Sequence, residues 1–168
     1  MAQTDSKRDI LILTTGGTLD KVHDMVREAL VFDREAGSCV PVILAQARAE
    51  IARVQEVLTL DSLDMIDADR AELVAAIEAA PETRIVITHG SGTMGATARY
   101  IAERVSGKTV VLTGAMRPFS LGASDAPFNL GGAVIAAQTC APGVYGVMNG
   151  RVMEAAQLDK NRDTGRFA

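Results

Sequence analysis

The chain has no tryptophan, and four phenylalanines and two tyrosines are its only aromatic residues. An apolar fraction of 48% must then come mostly from Ala, Val, Leu and Ile, which points to an aliphatic core of the kind that layered α/β proteins bury. Histidine is nearly as scarce. With only His23 and His89, there is little material for a histidine-based triad or a multi-histidine metal centre. Cys39 and Cys140 lack the spacing of metal ligands and read as small buried hydrophobes. No stretch approaches the roughly 18 uninterrupted apolar residues of a membrane span. Basic residues never cluster beyond a dipeptide, and the net charge is −4, so the basic patch that neutralises nucleic-acid phosphates is missing. Met1 to Asp9 is polar, without the apolar core of a signal segment. A cytoplasmic protein without metal or cofactor, and without nucleic-acid or membrane partners, is expected.

What remains is an alternation of strand and helix signals. After a flexible terminus at 1–9, residues 10–168 read as a single α/β domain. Strands are expected at 10–14, 54–60, 84–88, 109–113 and 143–149. Helices are expected from Pro41 to about Glu50, from Ala68 to Ala80 capped by Asp67, from Met94 to Val105, and over Asn129–Ala137. Residues 19–37 are charged and poorly periodic, and read as a loop of lid type or as a short helix near Met25–Leu30. Strands separated by helical segments of this length imply βαβ units, hence a three-layer sandwich around a mainly parallel sheet.

Three strands end in turns rich in small and hydroxyl residues: Thr14-Thr15-Gly16-Gly17-Thr18, Thr88-His89-Gly90-Ser91-Gly92-Thr93 and Thr113-Gly114-Ala115-Met116-Arg117-Pro118. Any one of them reads equally well as a plain βα turn. In open parallel sheets, however, ligands sit at the carboxyl ends of the strands, where all three fall. The spacing fits neither a dinucleotide fingerprint nor a phosphate-binding P-loop. Gly90-Ser91-Gly92 is one residue too tight for a nucleophile elbow. Activation of a hydroxyl must come from something other than a histidine triad.

The residues Thr15-Gly16-Gly17-Thr18-Leu19, Asp61-Ser62-Leu63-Asp64-Met65, His89-Gly90-Ser91-Gly92-Thr93-Met94 and Gly114-Ala115-Met116-Arg117-Pro118, in that order, resemble the signatures of the bacterial-type L-asparaginases. The likeness runs along essentially the whole chain and corresponds to the amino-terminal, active-site domain, as in short single-domain members. The resemblance implies Thr18 as nucleophile, with Ser91 and Lys108 as the second hydroxyl and the lysine that works with it. It implies Gly17, Ser62, Leu63, Gly90 and Gly92 as substrate-binding positions, with Ser62 taking the α-carboxylate. It further implies a small-molecule amide as substrate, and a homodimer or homotetramer follows from a pocket left open on one side. Thr18, Ser62, Ser91 and Lys108 are expected to converge at one edge of the sheet.

Two departures bear on activity. Where the family carries an aspartate that grips the substrate's α-ammonium, this chain has Gly92. The family's lid tyrosine is also missing, since Tyr100 and Tyr145 lie outside that segment. Phe32 is the aromatic residue nearest to it, and His23 has no assigned role there. Three readings stay open: an asparaginase-like amidohydrolase of weak or altered specificity, a catalytically impaired small-molecule binding module on the same fold, and a nucleotide- or phosphate-binding α/β domain.

Overall fold

The computed structural model describes residues 9–50 and 52–167; of the expected flexible terminus, Met1 to Arg8 lie outside the described residues. In chain order the elements are β1 (Ile10–Gly16), the hairpin β2 (Lys21–Asp24) and β3 (Ala29–Phe32), α1 (Val40–Gln46), β4 (Ala52–Leu60), α2 (Asp67–Ala79), β5 (Arg84–Thr88), α3 (Met94–Ala102), β6 (Thr109–Thr113), α4 (Ala126–Thr139), β7 (Gly143–Met148) and β8 (Arg151–Glu154). The main sheet has the order β4-β1-β5-β6-β7-β8, parallel throughout except for β8, which is antiparallel to β7.

Both faces of this sheet are covered, as a parallel sheet requires. The alternation along each strand divides the core in two. Leu11 and Leu13, with Ile85, Ile87, Val110 and Leu112, pack under α2 and α3 through Leu73, Ile77, Ala98 and Ile101. Ile10, Ile12, Val86 and Val111 point the other way, against Val40 and Ile43 of α1 and Leu130, Ala133, Val134 and Ala137 of α4. The small residues of α4 let that helix lie close: a Cβ added at Gly132 would stand 3.0 Å from Val147 Cγ1. Each fully buried Leu or Ile contributes about 1.5–3 kcal/mol, so the aliphatic core suffices without large aromatics.

The register sets two level edges. Ile10, Arg84, Thr109 and Gly143 align at the amino edge, and Thr14, Thr88, Thr113 and Val147 align at the carboxyl edge. The three hydroxyl-rich turns all leave from the latter. Lys108 precedes β6 and belongs to the former, which corrects its expected place beside Thr18 and Ser91. A five-residue strand separates the edges, roughly 13–17 Å at the usual rise. The Lys108 ammonium instead donates to the carbonyls of Ile77 and Ala80, both at 2.6 Å, and neutralises the carboxyl end of α2.

Elsewhere the structure adjusts several expected elements. Residues 19–37 are neither a long loop nor a helix near Met25–Leu30. Asp24 Oδ1 accepts from the amides of Val26 and Arg27 at 2.8 and 3.0 Å, and this local turn closes the β2–β3 hairpin. Helix α1 stops at Gln46 rather than Glu50, followed by Arg48 at φ 53. Asp67 does not cap α2 but lies inside it, paired with Arg70 at 2.9 Å; Asp69 Oδ2 instead accepts from Ile66 N at 2.8 Å. Strand β8 follows Asn149 and Gly150, both at positive φ, 53 and 75, the pair that a tight hairpin turn demands. Cys39 and Cys140 are free and only partly buried.

Replacing Lys108 by Met should remove a helix cap and leave the carboxyl edge untouched. The expected loss is about 1–2 kcal/mol of stability, read as a lower Tm, with ligand binding unchanged by calorimetry.

Candidate active site

The carboxyl edge is assembled by backbone meeting backbone. Strand β1 leaves the sheet through Gly16 and Gly17 at φ 87 and 74, a region that residues with a Cβ rarely adopt. A Cβ at Gly17 would also lie 2.5 Å from Gly90 N and 2.7 Å from Gly90 Cα. The turn after β1 is thereby pressed against the turn after β5. On its far side, Gly90 admits Ser62 in the same way: a Cβ there would stand 2.5 Å from Ser62 Oγ.

Hydrogen bonds brace these contacts. Thr15 Oγ1 donates to Thr88 O at 2.8 Å, Gly17 N to Leu60 O at 3.1 Å, His89 N to Thr113 O at 2.8 Å, and Thr93 Oγ1 to Ser62 O at 2.7 Å. Asp125 shapes the third turn by accepting from the amides of Met116 and Arg117 at 2.9 and 3.0 Å. His89 is wholly buried, its ring nitrogens 2.8 Å from Gly90 O and 3.2 Å from Met65 Sδ. Burial pulls its pKa down to about 4, so the ring is neutral and serves the turn's packing.

Within this frame Thr18 opens a single 3₁₀ turn, Thr18–Asp20. Its hydroxyl has no hydrogen-bond partner among the described residues, and neither does that of the buried Ser62. The amides of Gly90, Ser91 and Gly92 likewise find no acceptor among the described residues; Gly90 is buried against Gly17, whereas Ser91 and Gly92 are nearer the surface. Asp20 turns away to accept from Ser38 Oγ and Cys39 N at 2.8 and 2.9 Å; its burial pushes that carboxyl up, opposed by these same bonds.

The lysine at the second hydroxyl is Lys160, which the sequence reading missed. Its Nζ donates to Ser91 Oγ at 3.1 Å. The segment after β8 crosses α3 so closely that a Cβ at Gly95 would fall 1.8 Å from Leu158 O, and Leu158 fills the space over Gly146. Buried Leu158 thus fixes the stem from which Lys160 reaches Ser91. A signal was available: the Asn149-Gly150 hairpin turns the chain back, and Lys160 is one of only four lysines. The structure therefore brings Gly17, Thr18, Ser62, Leu63, Gly90, Ser91 and Gly92 to one edge, and leaves Lys108 at the other.

The β2–β3 hairpin is pinned at its base. Lys21 Nζ pairs with Asp61 Oδ2 at 2.5 Å and lies 5.5 Å from the Phe32 ring centroid, while Ser120 Oγ donates to Lys21 O at 2.8 Å. The Leu63 amide, and then the Lys21 ammonium, hold the Asp61 carboxyl below the usual carboxylate range. The tip, Met25 and Val26, is exposed, and so is His23. Tyr100 lies on α3 beneath Arg104 and Tyr145 lies on β7. Among the described residues no group of three His, Cys, Asp or Glu side chains gathers to hold a metal, and no helix is long and apolar enough to cross a membrane.

The model of the asparaginase amino-terminal domain matches residues 9–168. The chain is 34% identical to L-asparaginase 2 of Escherichia coli over 164 residues and 33% identical to a probable periplasmic L-asparaginase of Haemophilus influenzae over 168 residues; each match covers 93% of this chain and 47% of the relative. It is also 33% identical to one component of the glutamyl-tRNA(Gln) amidotransferase of Methanococcus vannielii, over 86% of this chain and 35% of that one. Among solved structures, the thermostable L-asparaginase of Thermococcus kodakarensis superposes with a TM-score of 0.74 at 27% identity, covering 88% of this chain and 46% of that one. A probable cytoplasmic L-asparaginase of Campylobacter jejuni gives 0.73 at 30% identity, covering 90% and 49%. The chain spans about half the length of the curated L-asparaginases it matches.

The buried His89 carries a pH dependence. Its folded pKa of about 4 lies below the ordinary 6.5, so the unfolded chain takes up a proton first as pH falls. Stability should be full above pH 7 and decline from about pH 6.5 downward. The contribution of His89 amounts to about 2 kcal/mol lost by pH 5. Urea denaturation at pH 7, 6 and 5 measures it; a flat profile would show that His89 titrates normally.

Proposed function

The chain belongs to the asparaginase family, and on that premise we propose that it is an amidohydrolase that releases ammonia from a small amide such as L-asparagine. The observation that carries this reading is the contact between Lys160 and Ser91, set beside the unpartnered hydroxyl of Thr18 and the free amides of residues 90–92. In this reading Thr18 Oγ1 attacks the amide carbon, forming a C–O bond and placing negative charge on the carbonyl oxygen. Free backbone amides at this edge stabilise that charge. The proton that Thr18 loses passes to the leaving nitrogen through the Ser91 hydroxyl, which takes it up as it gives its own and which the Lys160 ammonium polarises; the C–N bond breaks and the nitrogen departs as ammonia. Water then hydrolyses the ester on Thr18 and regenerates the hydroxyl.

Gly92 supports altered specificity. Without the family's aspartate, an α-ammonium loses a charge-assisted contact of about 1.5–3 kcal/mol, or roughly 10–100-fold in affinity. The same residue favours the second reading, a small-molecule binding module with little turnover. A cytoplasmic setting fits the two unpaired thiols. Self-association as a dimer or tetramer fits the apolar strip formed by Phe128, Ile135 and Val152, which are 70%, 60% and 52% exposed.

An ammonia-release assay over L-asparagine, L-glutamine and simple amides tests the main reading. Lys160→Ala and Thr18→Ala should each lower turnover by about 10²–10⁴-fold, while Lys108→Ala should keep it within a few-fold. Equal losses at Lys160 and Lys108 would mean that the Ser91 contact has no part in the chemistry. Sedimentation at micromolar concentration should show a species larger than the 17.7 kDa chain, and Phe128→Glu should shift it toward monomer.

A further inference from the structure

We propose that the substrate is an ω-monoamide of a small dicarboxylic acid that carries no α-amino group, with Leu63 and Gly92 as the positions that set this choice. The proposal rests on the amidohydrolase reading and adds the chemistry of the end of the substrate that does not react. The net reaction consumes one water, replaces the amide C–N bond by C–O, and releases a dicarboxylate and ammonia.

Three observations converge on it. First, the atoms nearest a side chain at position 92 belong to no carboxylate: a Cβ added there would meet Leu63 Cδ2 at 2.7 Å and Ser62 Oγ at 3.2 Å. The Leu63 side chain thus occupies the space beside position 92, where the resemblance to the family would put the aspartate that grips an α-ammonium. Second, the acidic groups bordering this region are already engaged. Asp61 gives one oxygen to Lys21 and the other to the Leu63 amide, at 2.5 and 3.0 Å, and Asp159 faces the Arg99 guanidinium at 3.2 and 3.3 Å. Asp64 and Asp163 are exposed to solvent.

Third, the adjoining cleft is cationic. A cavity of about 240 Å³ opens at Ser91 and Gly92 and is bordered by Arg99, Asp159, Lys160 and Arg162. Arg99 is paired with Asp159 and Lys160 reaches Ser91; with Arg162 as the third, the cations of the lining outnumber its one acid. Ser91 and Gly92, whose amides find no acceptor among the described residues, line this cavity, and Ser62 Oγ would stand 3.2 Å from a Cβ at Gly92. Such a surface attracts a carboxylate and repels an ammonium. The backbone does not oppose a change here, because Gly92 is not among the positive-φ glycines, and the group in the way is the flexible end of a Leu63 side chain that is 73% exposed.

Ammonia release and calorimetric binding by the wild-type chain, with succinamate, L-asparagine and propionamide as probes, test the proposal. Succinamate should exceed both others at least tenfold in kcat/KM. Asparagine matching or surpassing succinamate would overturn the substrate class while leaving the amidohydrolase reading intact. If no amide is hydrolysed, that reading fails, yet tighter binding of succinamate than of asparagine would still support the anionic, amino-free ligand; equal binding would overturn it. Gly92→Asp should then move the succinamate-to-asparagine ratio toward asparagine by about tenfold or more. An equal effect on both probes would show that position 92 does not face the α-substituent, and would overturn the role assigned to it.

Discussion

Everything at the carboxyl edge depends on the approach of Gly17 to Gly90. Two backbones meet there at a distance that leaves no room for a Cβ on the first glycine. Strands β1 and β5 are neighbours in register, so their ends emerge side by side, and only side chains of zero size let the two turns close on each other. Ser62 completes the stack on the other side of Gly90. The free amides of the site then belong to the backbone itself and its hydroxyls sit on short Ser and Thr side chains, which is how donors are held in place before a ligand arrives. A substitution at Gly17 would combine strain at φ 74 with a clash against main-chain atoms, neither of which relaxes cheaply.

Much of this could be read from the residues. The strands Arg84–Thr88 and Thr109–Thr113 stand where their β-branched runs place them, and the three glycine turns lie on one edge because every parallel strand ends in the same direction. What escaped was local or long-range in character. The β2–β3 hairpin is short, its polarity is mixed, and it is organised by Asp24 side-chain bonds that no periodicity reveals. Strand β8 has four residues, too few for an alternation to register, although Asn149-Gly150 announced the reversal.

The misplaced lysine has a purely geometric explanation. Lys108 opens a strand, whereas Thr18 and Ser91 follow strands, and in a parallel sheet the residue before one strand and the residue after its neighbour occupy opposite edges. The length of β6 alone puts Lys108 out of reach. Proximity in the chain to a family-like segment outweighed that constraint in the sequence reading. Lys160 reaches the edge that carries Ser91 by an antiparallel strand and a crossing over α3, a path set by Gly95 and Gly146 accepting Leu158. Contacts of that kind join residues more than sixty positions apart and leave no periodic trace.

The site therefore divides into a rigid part and an adaptable part. The turns are locked by main-chain contacts, by Thr15 on Thr88, by Thr93 on Ser62 and by the buried, neutral His89. The Lys21–Asp61 pair, with side chains only 19% and 31% exposed, extends that bracing to the base of the hairpin. Leu63 and Gly92 are outside this bracing: one is a largely exposed side chain and the other a glycine in ordinary backbone conformation. An exchange at these two positions changes the charge and shape presented to the substrate without disturbing the frame that holds Thr18 and Ser91. A glycine at position 92 thus leaves the setting of Thr18 and Ser91 intact, and on the proposed reading substrate choice is separable from the reacting groups.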